Sequence, residues 1–368
     1  MTPQEIQELL GRVAPRGTWC SLRIVETHNE SYTVRDDALL PPRSTTDRGA
    51  MITVVSGNGQ GIAATCDLSP GGLYQAARVA LDWAHAASDQ GVVDFSKAPR
   101  PQRSGTWSHP VEKPWEESTP KEIVDRLRSS CLSMAGDERV VQRVASLSRS
   151  CSETTLVTTD EVVIKQKHDR IIPWLQVLAS DGSDVQTRTN GGRSDAQLGG
   201  LEVLDKVNFD GLGSQIREDA LETLFAPICP SGIMDAVIGP AQMVLQVHES
   251  IGHALELDRI LGDERNYAGT SFVKTEDLGS LRWGPEILDV VIDPGVEGEV
   301  CSTGFDDEGL EAEKVSLIDK GRLVRGIGGS LSAQRLDMED EAIAVTRACS
   351  WNRPPIDRMA NLNIEPGK

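Results

Sequence analysis

Basic residues are in short supply: 37 Lys and Arg stand against 56 Asp and Glu, leaving a formal net charge of −19. A surface of that sign repels a phosphate backbone and an anionic leaflet alike, and no local basic patch offsets it, so neither a nucleic-acid nor a membrane partner is expected. Long apolar runs are also missing, since nothing approaches the ~18 to 20 residues of a spanning helix. Met1-Thr2-Pro3-Gln4-Glu5 lacks the basic start and apolar core of a secretory leader. The seven cysteines are odd in number and share no spacing, so they offer no disulfide framework; a reducing cytoplasm with free thiols fits best. There is no internal repeat and no G-x-S-x-G elbow for a serine nucleophile. Gly57-Asn58-Gly59-Gln60-Gly61 has neither a P-loop lysine nor the spacing of a dinucleotide fingerprint, and it reads as a hairpin turn.

What the chain does have is length and turn chemistry: 368 residues, 39% hydrophobic, with 34 Gly and 19 Pro. That is room for two domains with cores of their own. Leu22 to Thr27 and Tyr32 to Val34 alternate around His28-Asn29-Glu30, and Ala50 to Val55 faces Ile62 to Cys66 across the glycine run, so two hairpins are expected. Ser69-Pro70 and Thr119-Pro120 each open a helix, the first with a stripe from Leu73 to Ala84, the second with Ile123, Val124, Leu127, Cys131 and Met134. Residues 97–120, rich in proline, read as a surface crossing anchored by Trp107 and Trp115. Five short strands between Val140 and Thr189 make a meander, Gly191-Gly192 loosens the chain, and a short helix covers Ile216 to Phe225. A strand at Met234 to Ile238 and one long helix from Ala241 to about Leu261 then follow, with short strands at 287–292 and 315–318. The expected class is α+β. Residues 1–228 form a β-rich domain with two covering helices, and 229–368 form the domain that carries the chemistry, with a long motif helix and short antiparallel strands.

That chemistry centres on His248-Glu249-Ser250-Ile251-Gly252-His253, which holds two of the six histidines five residues apart with an acid directly after the first. Neutral imidazoles hold zinc, and a carboxylate beside the metal can take a proton from water and hand it to a leaving amine. On a regular helix a five-residue step leaves the two rings about 140° apart, too far round to share an ion. A single π-turn absorbs the extra residue, and Gly252 tolerates it, so an irregularity is predicted at Ser250 to Gly252. The same segment also reads as a core helix with Val244, Val247, Ile251 and Leu255 on its apolar face and the histidines flanking it. Glu256 is open to two readings, as an acceptor that orients an imidazole or as a plain surface acid.

The stretch from His248 to Asp258 resembles the H-E-x-x-x-H helix of the TldD/PmbA family of zinc metallopeptidases, in its TldD branch. Gly304-Phe305-Asp306-Asp307-Glu308-Gly309 is similar to the family's G-x-D-D-E-G segment. Leu317 to Leu323 resembles the strand and turn after it, and Arg358-Met359-Ala360-Asn361 with Pro366-Gly367 resembles its R-M-x-N and P-G elements. The resemblance implies a cytoplasmic, zinc-dependent (Zn2+) peptidase subunit. It would work beside a TldE/PmbA-like subunit on unfolded peptides or peptide-like metabolites, hydrolysing amide bonds. Carried over, His248 and His253 become metal ligands and Glu249 the general base. Asp306, Asp307 and Glu308 read equally as cleft or as a capped turn and stay outside the site. The resemblance also implies a third ligand, a cysteine in a Gly-rich segment after the P-G element, and the sequence runs only to Lys368. The expectation is a shell incomplete within 1–368, with Cys301 and Cys349 read as small buried residues. A non-catalytic or metal-deficient subunit that completes a second chain's cleft is the alternative.

Overall fold

Very long strands set the frame. The computed structural model describes residues 1–88, 91–191, 195–266 and 268–367, so Gly192 and Lys368 lie outside the described residues. The large sheet is built from β1 (Trp19–Arg35), β2 (Arg43–Ser56), β3 (Gly59–Thr65), β4 (Gly105–Ser108), β5 (Val140–Thr158), β6 (Val163–Ser180) and β7 (Val185–Gly191). Its order is β3-β2-β1-β5-β6, antiparallel throughout, with β4 parallel to β6 and β7 antiparallel to β6 along the same edge. The hairpin between β2 and β3 is the expected one. The expected hairpin at His28 to Glu30 is absent, because β1 runs straight through it with His28 opposite Thr46 on one side and Cys151 on the other. Backbone pairing on both flanks overrides the local turn preference. Likewise the five expected strands of the meander merge into three. β5 continues through Arg149 because that buried guanidinium meets Asp169 on β6, with Nε to Oδ1 at 2.8 Å and Nη2 to Oδ2 at 2.5 Å.

Helices cover this sheet in two cores. α1 (Pro3–Val13) and α2 (Pro70–Ala87) pack with Leu10, Leu22, Ile52 and Leu73. α2 starts at the expected cap, where the Ser69 hydroxyl accepts from Gly72 N–H, whereas α1 was not expected and is opened by a capping box between Thr2 and Glu5. α2 lies almost on the backbone of β3. A Cβ at Gly61 would stand 1.8 Å from the Ala80 carbonyl oxygen, so only glycine permits this approach. α3 (Pro120–Ser133) and α4 (Gly213–Leu224) close the second core around Leu127, Met134, Leu147, Leu175 and Phe209, and the predicted α3 stripe is buried in full.

A smaller antiparallel sheet follows, in the order Arg322–Leu323, Val315–Asp319, Val290–Ile292, Leu362–Ile364. With the large sheet and its helices it makes the class α+β. The expected strand at Met234 to Ile238 does not form; the stretch has no partner strand, and Val237 is fully exposed. The expected single long helix is also broken. It runs as α5 (Pro240–Val247), passes through a π-turn, and ends at Glu256, whose ψ of 120° lets a new short helix start at Leu257. The crossing at 97–120 supplies β4, and Trp115 is buried as an anchor.

Candidate metal centre

Residues His248–Gly252 form a π-helical turn, in which the His253 N–H bonds to the His248 carbonyl five residues back. One residue is absorbed, so positions five apart sit one above the other. The two imidazoles meet edge to face with their centroids 4.5 Å apart. Ligand atoms of His248, Glu249 and His253 all fall within 4.8 Å of one another. Gly252 is needed for space, because its φ of −55° suits any residue while a Cβ there would lie 2.3 Å from the Met359 sulfur. Ile251, Ala254 and Leu255 bury the inner face of this helix against Ile292, Leu317 and Ile327. Of the apolar face expected for a core helix, Ile251 and Leu255 are buried, Val247 is half-buried and Val244 is exposed, while His248 and Glu249 are exposed to solvent.

Glu256 turns out to be fully buried. Its Oε2 lies 2.9 Å from His253 Nδ1, 3.0 Å from Arg259 Nη2 and 3.6 Å from Arg358 Nη1, while Oε1 accepts from Met359 N–H at 3.3 Å. Arg259 Nη2 also stands 3.1 Å from His253 Nδ1. With its proton on Nδ1 and donated to Glu256, His253 leaves the Nε2 lone pair for a metal, while Arg259, which can only donate, then directs Nη2 to Glu256 and not to Nδ1. Burial first, then the like charge of His253, lowers the His248 pKa and favours the neutral form that ligates. Two converging imidazoles, a carboxylate and an orienting acid behind one ring fit a metal of zinc's type.

Residues 231–368 match the PmbA/TldA metallopeptidase C-terminal domain, and residues 20–87 match PmbA/TldA metallopeptidase domain 1. The chain belongs to the TldD/PmbA family. Among its relatives is a metalloprotease of Methanothermobacter thermautotrophicus, 29% identical over 233 residues that cover 63% of this chain and 48% of that protein. A metalloprotease of Synechocystis is 26% identical over 371 residues, covering 99% of this chain and 75% of the other. The matched stretch spans about half the length of the archaeal relative. TldE from Thermococcus kodakarensis shares the fold, with a TM-score of 0.71 at 15% identity over 100% of this chain and 78% of that one.

In this member of the TldD/PmbA family the R-M-x-N element wraps the motif helix. Arg358 faces Glu256, Met359 fills the space over Gly252, and Asn361 Nδ2 donates to Ser302 Oγ at 2.7 Å while its Oδ1 accepts from Cys301 N–H at 3.1 Å. The Asp-Asp-Glu segment is a capped turn. Asp306 Oδ1 accepts from the N–H groups of Glu308, Gly309 and Leu310, and its Oδ2 accepts from Thr346. Asp307 pairs with Arg23 at 3.1 Å, and burial followed by the charge of Asp306 pushes Glu308 up to about 8. Among the described residues no cysteine joins the histidine cluster; Cys301 is half-buried, and Cys349 is exposed where a buried residue was expected. Sequence reasoning missed Arg259 and Arg358 around Glu256. The only signal was spacing, since Arg259 falls six residues after His253. No described helix is long and apolar enough to cross a membrane.

Proposed function

We propose that the chain is a zinc-dependent, peptidase-type hydrolase subunit in which His248 and His253 ligate the ion and Glu249 is the general base. The π-turn carries this reading, because it brings together two imidazoles that a regular helix would splay. When bound, zinc supplies Lewis acidity toward a carbonyl oxygen and acidifies water. Glu249 is exposed at the mouth of the motif, where it can take a proton from that water and deliver it to the leaving amine. Glu256 holds the His253 ring in place from behind. Glu249→Gln keeps both imidazoles but cannot accept a proton at neutral pH, so turnover of a peptide substrate should fall at least about 100-fold with zinc content unchanged. Retention of most of the activity sinks the mechanism.

The outer side of the motif supports assembly with a TldE/PmbA-like second chain. α5 buries none of its residues, and Val244 and Leu245 stand 61% and 53% exposed beside the histidines. An apolar flank next to a ligand pair calls for a cover that also excludes water from the reaction. The same open flank supports the alternative of a subunit that completes another chain's cleft. Mixing with such a neighbour should shift the chain to a larger species on size exclusion; a strict monomer at micromolar concentration refutes the assembly.

A further inference from the structure

A cleft of about 610 Å³ opens between the face of the large sheet and the loops around 300–305 and 344–350, and Arg23, Arg170 and Arg347 all line it. Arg23 is neutralised by Asp307. The other two are not. Among the described residues Arg170 engages the Val300 carbonyl alone, through Nε at 3.0 Å, and Arg347 the Cys301 sulfur alone, through Nη1 at 3.1 Å. Neither guanidinium has a carboxylate within ion-pair distance among the described residues, in a chain where acids outnumber bases by 56 to 37. The acids nearby are engaged elsewhere, with Asp169 held by Arg149 and Asp306 by its turn. The neighbouring His168 adds no further cation, because burial and then Arg170 hold its pKa down to about 4. Arg170 itself is pulled below its ordinary value by burial, Cys301 opposing and Arg347 adding to the shift. A cation in that position gains from an incoming anion.

We propose that Arg170 and Arg347 form a carboxylate subsite that gives this cleft a preference for peptides bearing an acidic side chain or a free C-terminal carboxylate. Planar guanidinium forks match a carboxylate in geometry as well as charge. The cleft also leads to the motif helix. Ala360 is part of its wall, and the adjacent Met359 packs on Gly252 of that helix. A peptide anchored at the two arginines would thus extend toward the histidines, which rests on the hydrolase reading above.

The test is calorimetric titration of the full chain after chelator treatment, so that no peptide is cleaved. Three hexapeptides of one sequence serve as probes: Glu inside with an amidated end, Gln inside with a free end, and Gln inside with an amidated end. The neutral probe should bind at least about tenfold more weakly than one of the charged two, and the probe that keeps affinity identifies the source of the carboxylate. Arg347→Gln, at an exposed position, should abolish the preference, so that charged and neutral probes bind alike. Arg170→Lys keeps the charge but loses the fork, and it should reduce the preference about threefold. Equal affinity for all three probes, or a preference that survives Arg347→Gln, overturns the proposal. Hydrolysis of the neutral probe by the zinc-loaded chain reports on the functional reading separately, so the two can fail independently.

Discussion

Glu256→Ala is the most searching perturbation of the candidate site. The carboxylate is fully buried and faces three partners at once, His253, Arg259 and Arg358. Arg358 keeps Glu264 at 3.4 Å, and Arg259 keeps the Ala268 carbonyl at 2.6 Å, but Arg259 loses its only carboxylate partner among the described residues. A buried cation left without its counter-charge costs about 3 to 5 kcal/mol, a large part of what a domain has to spare. Glu256→Gln is milder, because an amide oxygen can still accept from Met359 N–H, and its expected cost is about 1 to 3 kcal/mol. Both variants lose the anion that fixes the His253 tautomer, so zinc affinity should fall about 10- to 100-fold in the variant that stays folded. Urea unfolding reads the first quantity, and zinc competition with a chromophoric chelator reads the second. If Glu256→Ala costs less than about 1 kcal/mol, or if Glu256→Gln binds zinc as the wild type does, the orienting role assigned to Glu256 is wrong.

Two further outcomes follow from groups around the motif helix. Gly252→Ala should cost about 1 to 3 kcal/mol through overpacking against the Met359 sulfur, 2.3 Å from the new Cβ, and should weaken zinc binding by displacing the turn that aligns the imidazoles, and adding Met359→Ala should recover part of that affinity; thermal melts and chelator competition check this, and an unaltered Gly252→Ala protein refutes it. Asp258 is buried with both carboxylate oxygens unpartnered, and burial first, then Asp357 and Glu256, raises it from 3.8 to about 8 against the opposing charge of Arg358. The folded state therefore holds this proton more tightly than the unfolded chain, so the stability it contributes is complete below about pH 4 and is lost as pH rises toward 8, by up to about 1.4 kcal/mol per pH unit. Asp258→Asn removes that titration, and urea unfolding at pH 5.5 and 7.5 should show the variant gaining on the wild type at the higher pH; a constant gap disproves the assignment.

How much of this was legible beforehand depends on the range of the interaction involved. Ser69-Pro70 and Thr119-Pro120 announced their helices because a cap is made by residues three apart, and the buried stripe of α3 followed from helical spacing alone. The π-turn was legible for the same reason: a five-residue histidine step conflicts with 3.6 residues per turn, and the conflict is local. The long strands were not. Whether His28 to Glu30 turns or continues depends on partners at Thr46 and Cys151, and whether β5 passes through Arg149 depends on Asp169, twenty residues away. Met234 to Ile238 shows the converse, since strand-like residues without a neighbour make no strand. Glu256 could be read as an orienting acid or as a surface acid from its spacing, and only the arrival of Arg358 and Met359 from a hundred residues downstream buried it and decided between them. The sequence by itself determined which side chains are candidate ligands and the local turn that holds them, because both rest on covalent neighbours. The tertiary structure alone decided what stands behind His253 and which arginines are left facing the cleft, because those depend on charges that folding brings together.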